Sequence, residues 1–329
     1  MIEHGTSHCV IRLHDEQHNL EDYQGGVPRW CSGCGDNAIL AAVQRLCRDE
    51  DLRPEKTMFV SGIGCSSRLP HYMKTYGFHG IHGRAFPIAE GIKMSRPDLA
   101  VFVNTGDGDC CSIGAAHWIH AIRYNMNMTV MLHDNHVYGL TKKQASPTSP
   151  RGLKSNTTPR GSYLEAMSPL TVTLGVQNVS FVAQCVDWVP ELLYDIISAA
   201  YRHRGFSFIR ILQRCPEFMP KSFDPYMHDP QKTLILTHKD GVQMAPSLQK
   251  TYKNVLEHDP SNIDRAREIA SSEDPIPCGI LYRNPEVPCY DDLRKIGQAR
   301  TPEYIRAGLE KELDKFTVWP DEEMAERAA

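Results

Sequence analysis

The chain has 329 residues, 41% hydrophobic and 23% charged, enough to bury one large core or two modest ones. Its 36 Lys and Arg against 40 Asp and Glu give a formal net charge of −4, which disfavours the basic footprint of a nucleic-acid binder. No run of about 18 apolar residues occurs, and no basic stretch followed by an apolar block opens the chain, so neither a membrane span nor a secretory signal is expected.

A cytoplasmic, reducing setting is therefore expected. There the eleven cysteines read as metal or redox ligands, or as core residues, before disulfides. Residues 1–26 are polar and rich in histidine. His4 with His8, and His14 with His18, have i,i+4 spacing that could hold a metal; a loose polar arm is the blander and preferred reading.

From residue 36 the pattern alternates helix and strand. Ile39, Leu40, Val43, Leu46 and Cys47 predict a helix over 37–49. Strands are predicted at 57–61, 99–104, 128–132 and 207–212, and helices at 112–125 and 187–203. Short, nearly continuous apolar strands between helices predict a doubly wound, mostly parallel α/β sheet. Residues 142–161 are rich in Ser, Thr, Pro and Gly and carry five cations and no acid, which suits a functional lid or a solvated loop. We divide the chain into the arm 1–26, an α/β domain 27–235, and a C-terminal extension 236–329 expected to contact a partner.

Every unusual cluster follows a predicted strand: GIGCSS at 62–67, GDGDCC at 106–111, HDNHVYG at 133–139 and QRCPEF at 213–218. The carboxyl ends of parallel strands share one rim, where ligands bind, so Cys65, Asp107, Asn135 and Cys215 are placed together. Gly106 and Gly108 permit close backbone approach to a phosphate. Asp107 and Asn135 offer hard oxygens to a magnesium ion. GDG with an Asn about thirty residues on, at the next strand end, is similar to the thiamine diphosphate motif. Cys31 and Cys34 form a C-x-x-C that alone suits zinc, iron–sulfur or thiol redox chemistry. With Cys65 and Cys215 they make a four-thiolate set that serves zinc or an iron–sulfur cluster equally on ligand count.

WCSGCGDNAI, SGIGCSSR, GIHGRA, GDGDCCSIG and DNHVYGLTKKQASPT, in that order, resemble the β subunit of the 2-oxoacid:ferredoxin oxidoreductases over about residues 27–225. The resemblance implies a fold of the thiamine diphosphate-binding type, that cofactor with Mg2+, and one 4Fe–4S cluster on Cys31, Cys34, Cys65 and Cys215. It implies Mg ligation by Asp107, Asn135 and the Val137 carbonyl. It also implies cofactor contacts at Ile63, Gly64, Cys65, Ser66, His82, Gly83, Gly106, Gly108, Asp109, Gly139 and Leu140. An Asn tends to stand at the place of Leu140 in pyruvate-type members, and GLTK looks more like the 2-oxoglutarate type. Arg68 and Lys142 are cations that could receive a distal carboxylate. Cys110 and Cys111 depart from the small residue expected there.

The implied reaction converts 2-oxoglutarate, coenzyme A and oxidised ferredoxin to succinyl-CoA, CO2 and reduced ferredoxin, or the reverse. The activating carboxylate comes from an α subunit, so the chain alone is expected to be inactive. Alternatives are a pyruvate-specific enzyme, a non-oxidative thiamine diphosphate decarboxylase or synthase subunit, and a zinc-stabilised binding subunit.

Overall fold

The computed structural model describes residues 17–239, 244–272, 274–294 and 302–316. Nine strands among them form one sheet: β1 (Thr57–Ser61), β2 (Tyr76–His79), β3 (Ala100–Gly106), β4 (Met128–Asp134), β5 (Phe181–Val186), β6 (Phe206–Leu212), β7 (Thr233–Thr237), β8 (Val255–Glu257) and β9 (Ile276–Arg283). Their order across the sheet is β2-β1-β3-β4-β6-β5-β9-β7-β8. The strands from β2 to β5 in that order are parallel, β9 is antiparallel to β5, and β7 and β8 continue parallel to β9. The main helices of the first two-thirds are α1 (Asp36–Asp49), α2 (Ala85–Ser95), α3 (Ala115–Tyr124), α4 (Pro169–Leu174) and α5 (Pro190–Arg202).

Alternate strand residues feed two cores. Phe59, Phe102, Met131 and Ile209 pack with Ile39 and Val43 of α1 and Leu193 and Ile196 of α5. Val60, Val103, Val130 and Phe208 pack on the other face with Phe86 of α2 and Trp118 of α3. Each such fully buried side chain contributes about 1.5–3 kcal/mol. Because both sheet faces are covered, the central strands are apolar throughout rather than alternating. Helix α1 opens with Asp36 in its first turn, where the helix dipole favours a carboxylate.

The expected helix at 112–125 is shorter and irregular at its start. A single π turn over Asp109–Ile113 precedes α3, and a Cβ on Gly114 would meet the Asp109 carbonyl oxygen at 2.5 Å. β2 escapes periodicity because all four of its residues are exposed. β5 (FVAQCV) is also absent from the predicted strands; all six of its residues are buried, Gln184 at its centre included. The polar C-terminal third nonetheless supplies β8 and β9 to the same sheet, and β9 (IPCGILYR) is buried over seven of its eight residues. Residues 1–16, with His4, His8 and His14, lie outside the described residues. The stretch from His18 to Gly25 is packed: Tyr23 is fully buried, the Gly25 N–H donates to the Tyr72 carbonyl at 2.9 Å, and His18 pairs with Asp51. Among the described residues no helix is long and apolar enough to cross a membrane.

After β1 the chain turns outward to β2, then crosses back to place β3 on the other side of β1. That reversal is a topological switch point, and it leaves a crevice at the strands' carboxyl ends.

Candidate active site

A cavity of about 400 Å3 occupies this crevice. Its walls are Ile63, Gly64, Cys65 and Ser66 after β1, His82 after β2, and Gly106, Asp107, Gly108 and Asp109 from the end of β3. His133, Asn135, Val137, Tyr138, Gly139, Leu140, Thr141 and Gln144 complete it. Four successive strand ends thus converge, as the rim argument requires. A Cβ on Gly108 would strike the Tyr138 ring at 2.1 Å, so glycine is what lets these walls close on each other.

Asp107 is buried. Its Oδ2 accepts hydrogen bonds from the Ser146 hydroxyl and from Thr148 Oγ1, the latter at 2.7 Å. Thr148 Oγ1 also lies 2.7 Å from Asp134 Oδ1, although a hydroxyl has one proton to give. Burial, reinforced by the charge of Asp134, pushes the Asp107 carboxyl up to about 7. Burial raises Asp134 as well, but the Arg210 guanidinium, 2.7 Å away, leaves it below the usual carboxylate range. Asn135 donates to Gln213 Oε1 at 2.9 Å, which orients its amide, and its Oδ1 accepts from the Val137 N–H at 3.2 Å. Asp107, Asn135 and Val137 line the same cavity, and a carboxylate, an amide oxygen and a main-chain carbonyl are the kinds of hard donor that Mg2+ takes. Ser146, Thr148 and Ser149 are buried, so the first part of the expected lid is built into the site.

Asp109 ties three loops together. Its Oδ1 accepts from the N–H groups of Ile63 at 3.1 Å and Gly83 at 2.7 Å, and its Oδ2 accepts from Thr105 Oγ1 at 2.8 Å. His82 Nδ1 is 2.8 Å from Oδ1 but outside hydrogen-bonding geometry. A Cβ on Gly62 would meet the Asp109 carboxylate at 2.0–2.5 Å, and that carboxylate is too constrained to yield. Gly62→Ala is therefore expected to destabilise the chain by about 1–3 kcal/mol, read as a lower Tm of the cofactor-free protein.

Cys65 lines the cavity, and Cys215 lies beside it near Gly139. A Cβ on Gly139 would sit 3.6 Å from Cys65 Sγ and 3.8 Å from Cys215 Sγ. The Gly35 N–H donates to the Arg214 carbonyl at 3.1 Å, bringing the C-x-x-C turn to Cys215. The Trp30 indole donates to the Cys65 carbonyl at 2.8 Å. Cys31 is within electrostatic reach of Cys65 and Cys215, and Cys34 of Cys65. Burial pushes the Cys65 thiol up to about 12 and raises those of Cys34 and Cys215. A redox C-x-x-C needs the opposite, a lowered thiol, whereas a metal deprotonates a buried thiol outright. Among the described residues no three His, Cys, Asp or Glu side chains converge tightly enough to hold one metal ion.

Of the substrate-end candidates, Leu140 lines the cavity and is 50% exposed. Arg68 and Lys142 are not among its walls. Arg68 donates to the Arg29 carbonyl at 3.3 Å, and Lys142 is exposed on a tight loop with φ +70°. Gly83 acts through its N–H on Asp109. Sequence reasoning missed His133, Tyr138, Thr141 and Gln144 as walls, and Ser146 and Thr148 as supports of Asp107. For His133 a signal was present: it stands next to last in β4, at the binding edge.

Residues 62–211 match the family described as thiamine pyrophosphate enzyme, C-terminal TPP binding domain, and residues 248–297 match the C-terminal family of the pyruvate ferredoxin oxidoreductase beta subunit. The chain is 39% identical to the 2-oxoglutarate oxidoreductase subunit KorB of Mycobacterium tuberculosis, over 87% of this chain and 83% of that one. It is 39% identical to the 2-oxoacid:ferredoxin oxidoreductase subunit beta of a Sulfolobus species, over 84% and 87%. A solved 2-oxoglutarate:ferredoxin oxidoreductase from Magnetococcus marinus, with 2-oxoglutarate, coenzyme A and succinyl-CoA bound, superposes with a TM-score of 0.75 at 35% identity, covering 89% of this chain and 96% of that one. The strand-end cavity, its GDG turn and these matches agree: the chain belongs to the 2-oxoacid:ferredoxin oxidoreductase β-subunit family.

Proposed function

We propose that this chain pairs with an α subunit in the cytoplasm and oxidises 2-oxoglutarate with coenzyme A, giving succinyl-CoA, CO2 and reduced ferredoxin, or runs the reverse carboxylation. In this reading thiamine diphosphate sits in the strand-end cavity as its Mg2+ complex, and one 4Fe–4S cluster sits on Cys31, Cys34, Cys65 and Cys215. The observation that carries it is Cys65, which lines the cavity and shares the space beside Gly139 with Cys215. In a cubane cluster each thiolate binds a different iron, so the four need not meet at one point.

The cofactor supplies the electron sink for decarboxylation. The chain's own residues hold it. Asp107, Asn135 and the Val137 carbonyl would take the cation, and the GDG turn would receive the diphosphate on its backbone N–H groups. Asp109 keeps the loops after β1 and β2 in register with that turn. Val137, Tyr138 and Leu140 add side-chain walls to the same cavity.

Anaerobic co-expression with the α partner tests the assignment. A brown complex with about four irons per β chain, one thiamine diphosphate, and turnover on 2-oxoglutarate only when both subunits are present is expected. Full turnover by this chain alone, or a colourless protein with one zinc, would refute it. Leu140 at the cavity mouth is the specificity position. Leu140→Asn is expected to shift the ratio of kcat/KM for pyruvate over 2-oxoglutarate upward by ~10-fold, the scale of one pocket contact.

A further inference from the structure

One buried pair beside the cavity, His133 and Asp36, is assigned no role in holding the cation or the cluster. His133 lines the cavity, and its ring is completely buried. Its Nδ1 lies 2.7 Å from Asp36 Oδ1, a carboxylate equally buried and 97 positions away in the chain. Asp36 stands in the first turn of α1, with its Oδ2 3.5 Å from Cys34 Sγ. The other ring nitrogen, His133 Nε2, is buried and has no hydrogen-bond partner. A buried polar nitrogen without a partner is costly, and its retention calls for an explanation. The position of His133 supplies one: it lines the cavity, and its backbone pairs with Gly106, the first glycine of the GDG turn, where the diphosphate and cation are proposed to lie.

We propose that His133 Nε2–H donates a hydrogen bond to a diphosphate oxygen of the bound thiamine diphosphate, and that Asp36, accepting from Nδ1–H, is the positioning residue that fixes the ring to do so. This rests on the assignment of the cavity to that cofactor. The pair has the form of an imidazole whose free nitrogen faces a ligand while a carboxylate sets its orientation through the other.

Two substitutions separate the two ends of the ring. Asparagine at 133 can keep the bond to Asp36 but places nothing where Nε2 stands. Glutamine can present a polar group near the Nε2 position. The test measures thiamine diphosphate affinity of the cofactor-depleted α–β complex, in the presence of Mg2+, by calorimetry, with thermal unfolding and iron content followed alongside. His133→Asn is expected to weaken binding by ~10-fold or more at unchanged Tm, and His133→Gln to remain within about threefold of the unaltered complex. Asp36→Ala is expected to weaken binding as well, and to have no further effect in the His133→Asn background, because it acts through the same ring. Unchanged affinity of His133→Asn, equal weakness of the Gln variant, or additive losses in the double variant would each overturn the inference. If the unaltered complex binds no thiamine diphosphate, the cavity assignment itself fails, and this proposal fails with it.

Discussion

Asp107→Asn is expected to abolish ferredoxin-linked turnover while raising the thermal stability of the cofactor-free chain. Loss of a mere partner of a metal ligand typically costs about 10–100-fold in affinity or activity, and removal of a ligand itself should exceed that, at ~1,000-fold. Thr148→Val, which removes one bond to Asp107, should fall in the lower range. The gain in stability has a separate origin. Without a cation, Asp107 is a buried carboxylate beside Asp134, and burial with that charge raises its carboxyl from an ordinary 3.8 to about 7. A raised carboxyl contributes stability that is fully present below the unfolded value and is lost as pH rises through the folded one. The cofactor-free chain should therefore weaken between about pH 4 and pH 7 through this group. The advantage of the Asn variant should be largest near pH 8 and vanish near pH 4. Mg2+ with thiamine diphosphate should stabilise the unaltered protein at pH 8 and leave the variant's Tm unchanged. A variant no more stable than the parent at pH 8 would show that Asp107 is not strained by its surroundings. Such opposition between stability and function is the expected mark of a site built to receive a cation.

What the sequence disclosed about this site depends on where its residues stand. Cys65, Asp107, Asn135 and Cys215 come just after β1, β3, β4 and β6, and parallel strands place all such positions on one edge. That inference needs only strand assignment, and the strands carrying it are apolar enough to be found. The Asp36–His133 contact was illegible for the opposite reason. It joins a helix start to a strand end 97 positions away, and no motif or spacing links the two. Ser146 and Thr148 were hidden by composition, since a stretch rich in Ser, Thr, Pro and Gly reads as a lid or a solvated loop without showing which hydroxyls turn inward. Arg68 and Lys142 show the converse limit. Neither is among the cavity walls, so nearness to a motif in sequence did not by itself make them walls.

The second large effect concerns sulfur. Cys65→Ala is expected to remove most of the iron from the α–β complex and to lower ferredoxin reduction to below ~1% of the parent, since a cubane missing one thiolate is left exposed and open to oxidation. Cys278→Ala is the matched control. Its thiol is also buried and also raised by burial, to about 12, but it lies in β9 within the core. It should keep its iron even where it loses stability. The contrast matters because burial alone makes both thiols inert: protonated at neutral pH, neither is a nucleophile. Only bound metal would give Cys65 a role that Cys278 lacks. Thiol alkylation extends the same logic. In the iron-free complex Cys65 should react slowly at pH 7 and faster as pH rises, while in the iron-loaded complex it should be protected throughout. Equal iron in the Cys65 and Cys278 variants would exclude cluster ligation by Cys65 and return the C-x-x-C to a purely structural role.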